Sequence, residues 1–196
     1  MTVALQYRTS TFWDSVYAAP DTSFQPISAE ERYRFLDRTD AGAGQVAVDV
    51  GTGLGEWACQ MSRLGLAVAA YDYSPIAIER ASQLHKGHGD VTYEVHDFDA
   101  DPIPRRLRHG SVDIITCRHV INFLEPRFLD DARRWLRPDG ILHVTTAVTE
   151  RIEGAQRIGM REEEVSELAR GWREWERYDL GAHQEITVMV LRGPYI

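Results

Sequence analysis

Two periodicities alternate along the chain. Short apolar-rich runs at Val46–Val50, Leu66–Tyr71, Val91–Val95, Val112–Cys117 and Ile141–Thr146 have the length of buried strands. Between them, apolar positions recur at helical spacing. Trp57, Ala58, Met61 and Leu64 would cover one face of a helix running from about Glu56 to Leu64. Ser74-Pro75 supplies an N-cap and a proline for the first turn of another, reaching about His85. Pro126 to Leu136 is amphipathic, and Arg137-Pro-Asp-Gly140 reads as a tight turn into the fifth strand. Upstream, Ser28-Ala-Glu-Glu31 has the form of a capping box opening a segment with Tyr33, Phe35 and Leu36, which Asp40-Ala-Gly-Ala-Gly44 ends. Downstream, Glu162 to Arg170 reads as a helix. Trp172–Leu180 and Glu185–Leu191 then read as strands around Gly181-Ala-His183, and as a hairpin they must pair antiparallel. Strands alternating with helices predict a mostly parallel sheet covered on both faces.

Composition narrows the class more than the function. A length of 196 residues fits one domain, and 43% hydrophobic with 27% charged residues is ordinary for a globular protein. The net charge of −8 disfavours a dedicated nucleic-acid binder, because phosphate contact needs clustered Lys and Arg. Cys59 and Cys117 are far apart and lack metal-ligand spacing, so no metal is expected and both read as free thiols. MTVALQYRTSTFW has no apolar core of signal-peptide length, and no run approaches roughly 18 apolar residues. The expectation is a cytoplasmic protein without a membrane partner; oligomeric state is not readable.

Chemistry concentrates at Val46-Ala-Val-Asp-Val-Gly-Thr-Gly-Leu-Gly-Glu-Trp57. Strand, glycine turn and helix make a nucleotide-binding corner, where missing side chains let a ligand lie against the backbone. A dinucleotide fingerprint requires a glycine at the sixth position, and Glu56 stands there, which counts against NAD. Asp72 and Asp97 end the second and third strands, where ligands of open α/β sheets bind.

VDVGTGLGEW, Asp72, HDFD at 96–99, VDIITCRHVINFLEP and RWLRPDGILHVTT occur in the order found in class I S-adenosylmethionine-dependent methyltransferases, and the chain resembles that family through about residues 46–146. The resemblance implies an α/β, Rossmann-like, doubly wound, seven-stranded, mostly parallel sheet with an antiparallel C-terminal strand and helices on both faces. It implies one domain over 1–196: an N-terminal helical lid (1–42), a cofactor-binding core (43–150) and a C-terminal helix with a strand pair (151–196). The implied cofactor is S-adenosyl-L-methionine, with S-adenosyl-L-homocysteine as product. Asp49, Gly51, Thr52, Gly53 and Gly55 would face its methionine and ribose parts, and Asp72, with Tyr73 beside it, would accept from the ribose hydroxyls. Asp97 and the Phe98 amide would meet the adenine, and Arg118 the methionine end. EGAQRIGMREEEVSELARGWREWERYDLGAHQ is similar to the tail of tellurite-resistance and thiopurine-type enzymes, and Trp13–Tyr17 resembles the lid entry of small-molecule members.

The implied acceptor is a small molecule held in line with the methyl group. His119, just past the fourth strand, is the candidate base, or a histidine tied into its loop. Asn122 would also face the acceptor. Tyr7, Trp13 and Tyr17 form either an aromatic lid over the pocket or a staple fastening a helix to the sheet. His143 reads as a sheet-face residue, His183 as an exposed turn residue. Arg105-Arg-Leu-Arg108 reads as a solvated basic loop. Cys117-Arg-His-Val120 stands where base-amino methyltransferases carry Asp/Asn-Pro-Pro-aromatic, which counts against nucleic-acid bases. The alternatives are methylation of a protein or nucleic acid with a partner subunit, or a cofactor-binding protein without methyl transfer.

Overall fold

The computed structural model describes residues 5–101, 104, 107–153, 158–181 and 184–195. Seven strands form one sheet: β1 (Val46–Val50), β2 (Ala67–Asp72), β3 (Val91–Val95), β4 (Val112–Arg118), β5 (Leu136–Ala147), β6 (Trp172–Leu180) and β7 (Ile186–Pro194). Their order is β3-β2-β1-β4-β5-β7-β6. The first five pair in parallel, and β7 runs antiparallel to both β5 and β6. The six helices described are α1 (Ser10–Ala18), α2 (Ala29–Thr39), α3 (Glu56–Arg63), α4 (Pro75–Leu84), α5 (Phe128–Trp135) and α6 (Glu162–Glu167). None is long and apolar enough to cross a membrane.

Strand alternation divides the core between the two faces. Val48 and Val50 of β1 and Ile115 and Cys117 of β4 join Phe128, Ala132 and Trp135 of α5 and Val165 of α6. Ala47 and Ile114, on the opposite face, join Trp57, Ala58 and Met61 of α3 and Phe35 of α2. Burial on both sides is why these strands read as short apolar-rich runs.

Most predicted boundaries hold within two residues, and the exceptions have physical causes. Arg137–Gly140 is not a turn before β5 but a bulge within it. Val112 pairs with Leu136 and Ile114 with Ile141, so the extra residues are extruded between two paired positions. Arg137 is fastened there to Asp113 at 2.6 Å, and Asp139 to Arg173 at 2.9 Å. The capping box at α2 is half formed. Ser28 Oγ accepts from the Glu31 amide at 2.9 Å, but the Glu31 carboxylate turns away to bind Arg118. The C-terminal helix stops at Glu167, short of Arg170. His183, Arg105 and Arg106 lie outside the described residues, as does part of the 153–184 tail segment.

His143 sits inside β5, 2% exposed, with its ring edge-on to Phe35 and stacked on Trp57. Burial pushes its pKa down to about 3, against about 6.5 for an unfolded histidine. The imidazole therefore stays neutral in the fold while the unfolded chain takes up a proton. Its contribution to stability is present above pH 6.5 and is lost as pH falls from there toward 3. By pH 5 the loss from this one group reaches roughly 2 kcal/mol. Urea unfolding at pH 7 and pH 5 should show that drop, and His143→Gln should narrow it; an unchanged difference between the two pH values would refute the assignment.

Candidate functional site

The carboxyl ends of β1, β2, β3 and β4 open onto one cavity of about 730 Å3, walled on its other side by residues 22–27 together with Trp13 and Tyr17 of α1. Asp49, at the end of β1, is 2% exposed and accepts from the hydroxyls of Thr52 and Thr116, both at 2.7 Å. Burial pushes its pKa up to about 6, against the opposing pull of those hydroxyls and of the Arg118 charge. The turn that follows needs glycine. Gly51 has φ +64°, and a Cβ there would lie 2.4 Å from Val120 Cγ2.

Asp72 ends β2 with 4% exposure. One carboxylate oxygen accepts from Gly53 N at 2.9 Å and the other from Ser74 N at 3.0 Å, joining the glycine turn to the start of α4. Burial outweighs these two bonds and raises its pKa to about 6. Tyr17 stands opposite: a Cβ on Gly53 would lie 3.0 Å from its hydroxyl. Burial and the Asp72 charge push that hydroxyl well above its ordinary range. Asp97 follows β3 with its Oδ1 accepting from the amides of Asp99 and Ala100 at 2.9 and 3.2 Å, and it is exposed. The Phe98 ring packs inward on Phe128 and Trp135.

Beyond β4 the chain turns sharply. Arg118 reaches Glu31 of α2 with Nε–Oε1 at 2.7 Å and a second contact at 3.3 Å, and donates to the Gln25 carbonyl at 3.1 Å. His119 has φ +58°, in the left-handed region, and its amide donates to Thr145 O at 2.7 Å. Its Nε2 is buried with no hydrogen-bond partner among the described residues. Burial, then the Arg118 charge, lowers its pKa to about 4.

The cavity wall contains Asp49, Gly51, Thr52, Gly53, Asp72, Tyr73, Asp97, Phe98, Arg118, His119, Trp13 and Tyr17. Three expected positions stand outside it. Tyr7 packs its ring on Phe12 instead. Asn122 is 1% exposed in the short 3-10 turn after β4, behind the wall. Gly55 caps α3, with Tyr93 and Ala81 where its side chain would be. Sequence reasoning also missed Glu31, read only as a capping residue, and Arg80. The Arg80 guanidinium donates to the carbonyls of Tyr17 and Ala19 (3.0 Å for the latter), pinning the end of α1 to α4. No periodicity marks either one, since each acts across more than 60 residues of sequence.

The methyltransferase-domain family matches residues 48–144, which span the glycine turn, Asp72, Asp97 and Arg118. Residues 48–144 belong to the methyltransferase-domain family, within a fold shared with S-adenosylmethionine-dependent methyltransferases.

The chain is 28% identical over 177 residues to the ubiquinone biosynthesis O-methyltransferase of Cupriavidus pinatubonensis, covering 85% of this chain and 66% of the relative. It is 24% identical over 151 residues to phosphoethanolamine N-methyltransferase 1 of Caenorhabditis elegans, covering 71% of this chain and 31% of the relative. The chain thus spans from about a third to two thirds of these curated relatives' length. Its fold matches the N-methyltransferase NodS of Bradyrhizobium japonicum, solved with S-adenosyl-L-homocysteine: TM-score 0.70 at 18% identity, covering 95% of this chain and 99% of the other. The likeness of the tail to tellurite-resistance and thiopurine-type enzymes finds no support among these three.

The Arg118–Glu31 pair is the clearest electrostatic commitment at the cavity. Their side chains are 16% and 6% exposed. Arg118→Ala would leave the Glu31 carboxylate buried without a counter-charge, and should cost about 3 kcal/mol or more in urea unfolding. Replacing both by methionine should recover most of that loss; a double variant as unstable as the single one would refute the pairing's role.

Proposed function

We propose that this chain transfers a methyl group from S-adenosylmethionine to a small-molecule acceptor, releasing S-adenosylhomocysteine. The observation that carries this reading is the buried Asp72 carboxylate held at the glycine turn, on the wall of the 730 Å3 cavity. Its oxygens take backbone N–H groups and still have lone-pair capacity, which fits acceptance from ribose hydroxyls. Gly51 and Gly53 leave the turn backbone open to the ligand, and Asp97, exposed at the end of β3, fits the adenine amino group. When bound, the cofactor supplies a methyl group already activated on a sulfonium. The chain's own work is then positioning and the exclusion of water, worth on the order of 7–11 kcal/mol when orientation is good.

Two observations support a small acceptor. The wall beyond β4 and β5 carries Val120, Ile152, Ile158 and Ile186, a predominantly apolar surface closed by the segment Phe24–Ile27. The relatives' names describe an O-methyltransferase of ubiquinone biosynthesis and an N-methyltransferase of phosphoethanolamine, both acting on small molecules. His119 would receive the proton. At a pKa of about 4 it is neutral at physiological pH and too weak to ionise a hydroxyl in advance. The proton of the acceptor atom becomes strongly acidic as that atom gains the methyl group, and the orphaned Nε2 is then a sufficient base.

Asp72→Ala should weaken S-adenosylmethionine binding by ~2 kcal/mol or more in calorimetry, through loss of charge-assisted hydrogen bonds. Circular dichroism must show the fold intact, and unchanged affinity would sink the assignment. In the wild type, protonation of Asp72 removes the charge that the ribose hydroxyls would meet, so affinity should fall as pH drops through about 6. His119→Ala should lower kcat by roughly a hundredfold and leave cofactor affinity alone. Equal turnover in variant and wild type would make His119 structural.

A further inference from the structure

We infer that the Nε1–H of Trp57 binds the carboxylate at the amino-acid end of the cofactor. This rests on the cofactor reading above and assigns one contact within it.

The ends of the site are distinguishable by strand. Asp97 after β3 and Asp72 after β2 mark one end, and Arg118 and His119 after β4 the other. The Trp57 ring belongs to the second end. It lies 5.1 Å from Phe35, one helical turn beyond Glu31, and stacks at 6.4 Å on His143 of β5. A carboxylate delivered there needs donors, and the obvious ones are engaged. Among the described residues, the arginines of the cavity wall are Arg8 and Arg118. Arg8 pairs with Glu125 at 2.8 Å, and Arg118 with Glu31 at 2.7 Å. Three amides of the glycine turn are also taken: Thr52 N by Tyr71 O, Gly53 N by Asp72 and Gly55 N by Thr52 O. The Thr52 and Thr116 hydroxyls donate to Asp49.

Trp57 differs from all of these. It forms part of the cavity wall, is 5% exposed, and its Nε1 is buried with no acceptor among the described residues. A buried N–H without a partner is uncommon enough to require a reason, and a ligand acceptor supplies one. An anion is the acceptor for which such a donor in a dry wall is worth most.

The test compares two ligands in calorimetry. S-adenosylhomocysteine carries the amino-acid group; 5′-methylthioadenosine shares its adenine, ribose and thioether but lacks it. Trp57→Phe keeps an aromatic ring against Phe35 and His143 and removes the N–H. It should weaken S-adenosylhomocysteine roughly ten- to a hundredfold and leave 5′-methylthioadenosine unchanged. Equal weakening of both ligands, or none of either, overturns the assignment. Should Trp57→Phe fail to fold, benzothienylalanine at position 57 preserves the shape without the N–H and must give the same split. A wild-type chain that binds neither ligand overturns the cofactor reading itself, and is told apart from failure at Trp57 because the variant plays no part in it.

Discussion

The site depends on a buried carboxylate that is fixed by backbone. Asp72 accepts from Gly53 N and Ser74 N, so one side chain ties the turn after β1 to the first residue before α4. Asp49 does the equivalent between β1 and β4 through Thr52 and Thr116. Parallel pairing brings the ends of β1, β2 and β4 level, and these two carboxylates set how the loops leave that edge. Both are raised to about 6, since desolvation outweighs the hydrogen bonds each receives. A chain that holds two carboxyls in so dry a place does so against their preference for water.

The cover over the edge is held by a different kind of force. Neither α1 nor α2 shares backbone ladder bonds with the sheet, so both depend on side chains. Arg80 binds the last carbonyls of α1, Asp14 of α1 accepts from Ser74, and Arg118 binds Glu31 and the Gln25 carbonyl. Aromatic contacts fill the space beneath, Trp13 on Phe123 at 5.5 Å and Phe35 on Trp57 at 5.1 Å. The links that orient the cover are polar and few, while those that bury surface are apolar and adaptable. Such a division allows a cover to be well placed and still to open.

Strand and helix identities were legible because burial on two faces writes a short apolar-rich run, and amphipathic packing writes a 3.6-residue repeat. The glycine turn and the acidic strand ends were legible because their requirements are local: φ above zero for Gly51, a short acceptor for Asp72. Arg118 was visible as a residue at the right place, but its engagement with Glu31 was not. That contact spans 87 positions and depends on where α2 lands. Glu31 carried a false local signal, since its spacing from Ser28 satisfied a cap that the stronger tertiary ion pair then overrode. Asn122 lies outside the cavity wall for a related reason. The 3-10 turn rotates it inward, and no sequence repeat reports the phase of a three-residue helix.

The bulge at Arg137–Gly140 has an architectural consequence. It sits near the start of β5, at the end of the sheet opposite the cavity, and it separates Leu136, which follows α5, from the regular pairing that begins at Ile141. Residues gained or lost in that connection are absorbed in the extruded segment, and the pairing of Ile114 with Ile141 onward is unaffected. His143 and Thr145, which support Trp57 and the His119 amide, lie in the regular pairing beyond the bulge. The bulge is therefore placed as an expansion joint, between the cavity edge of the sheet and the connection at its far side.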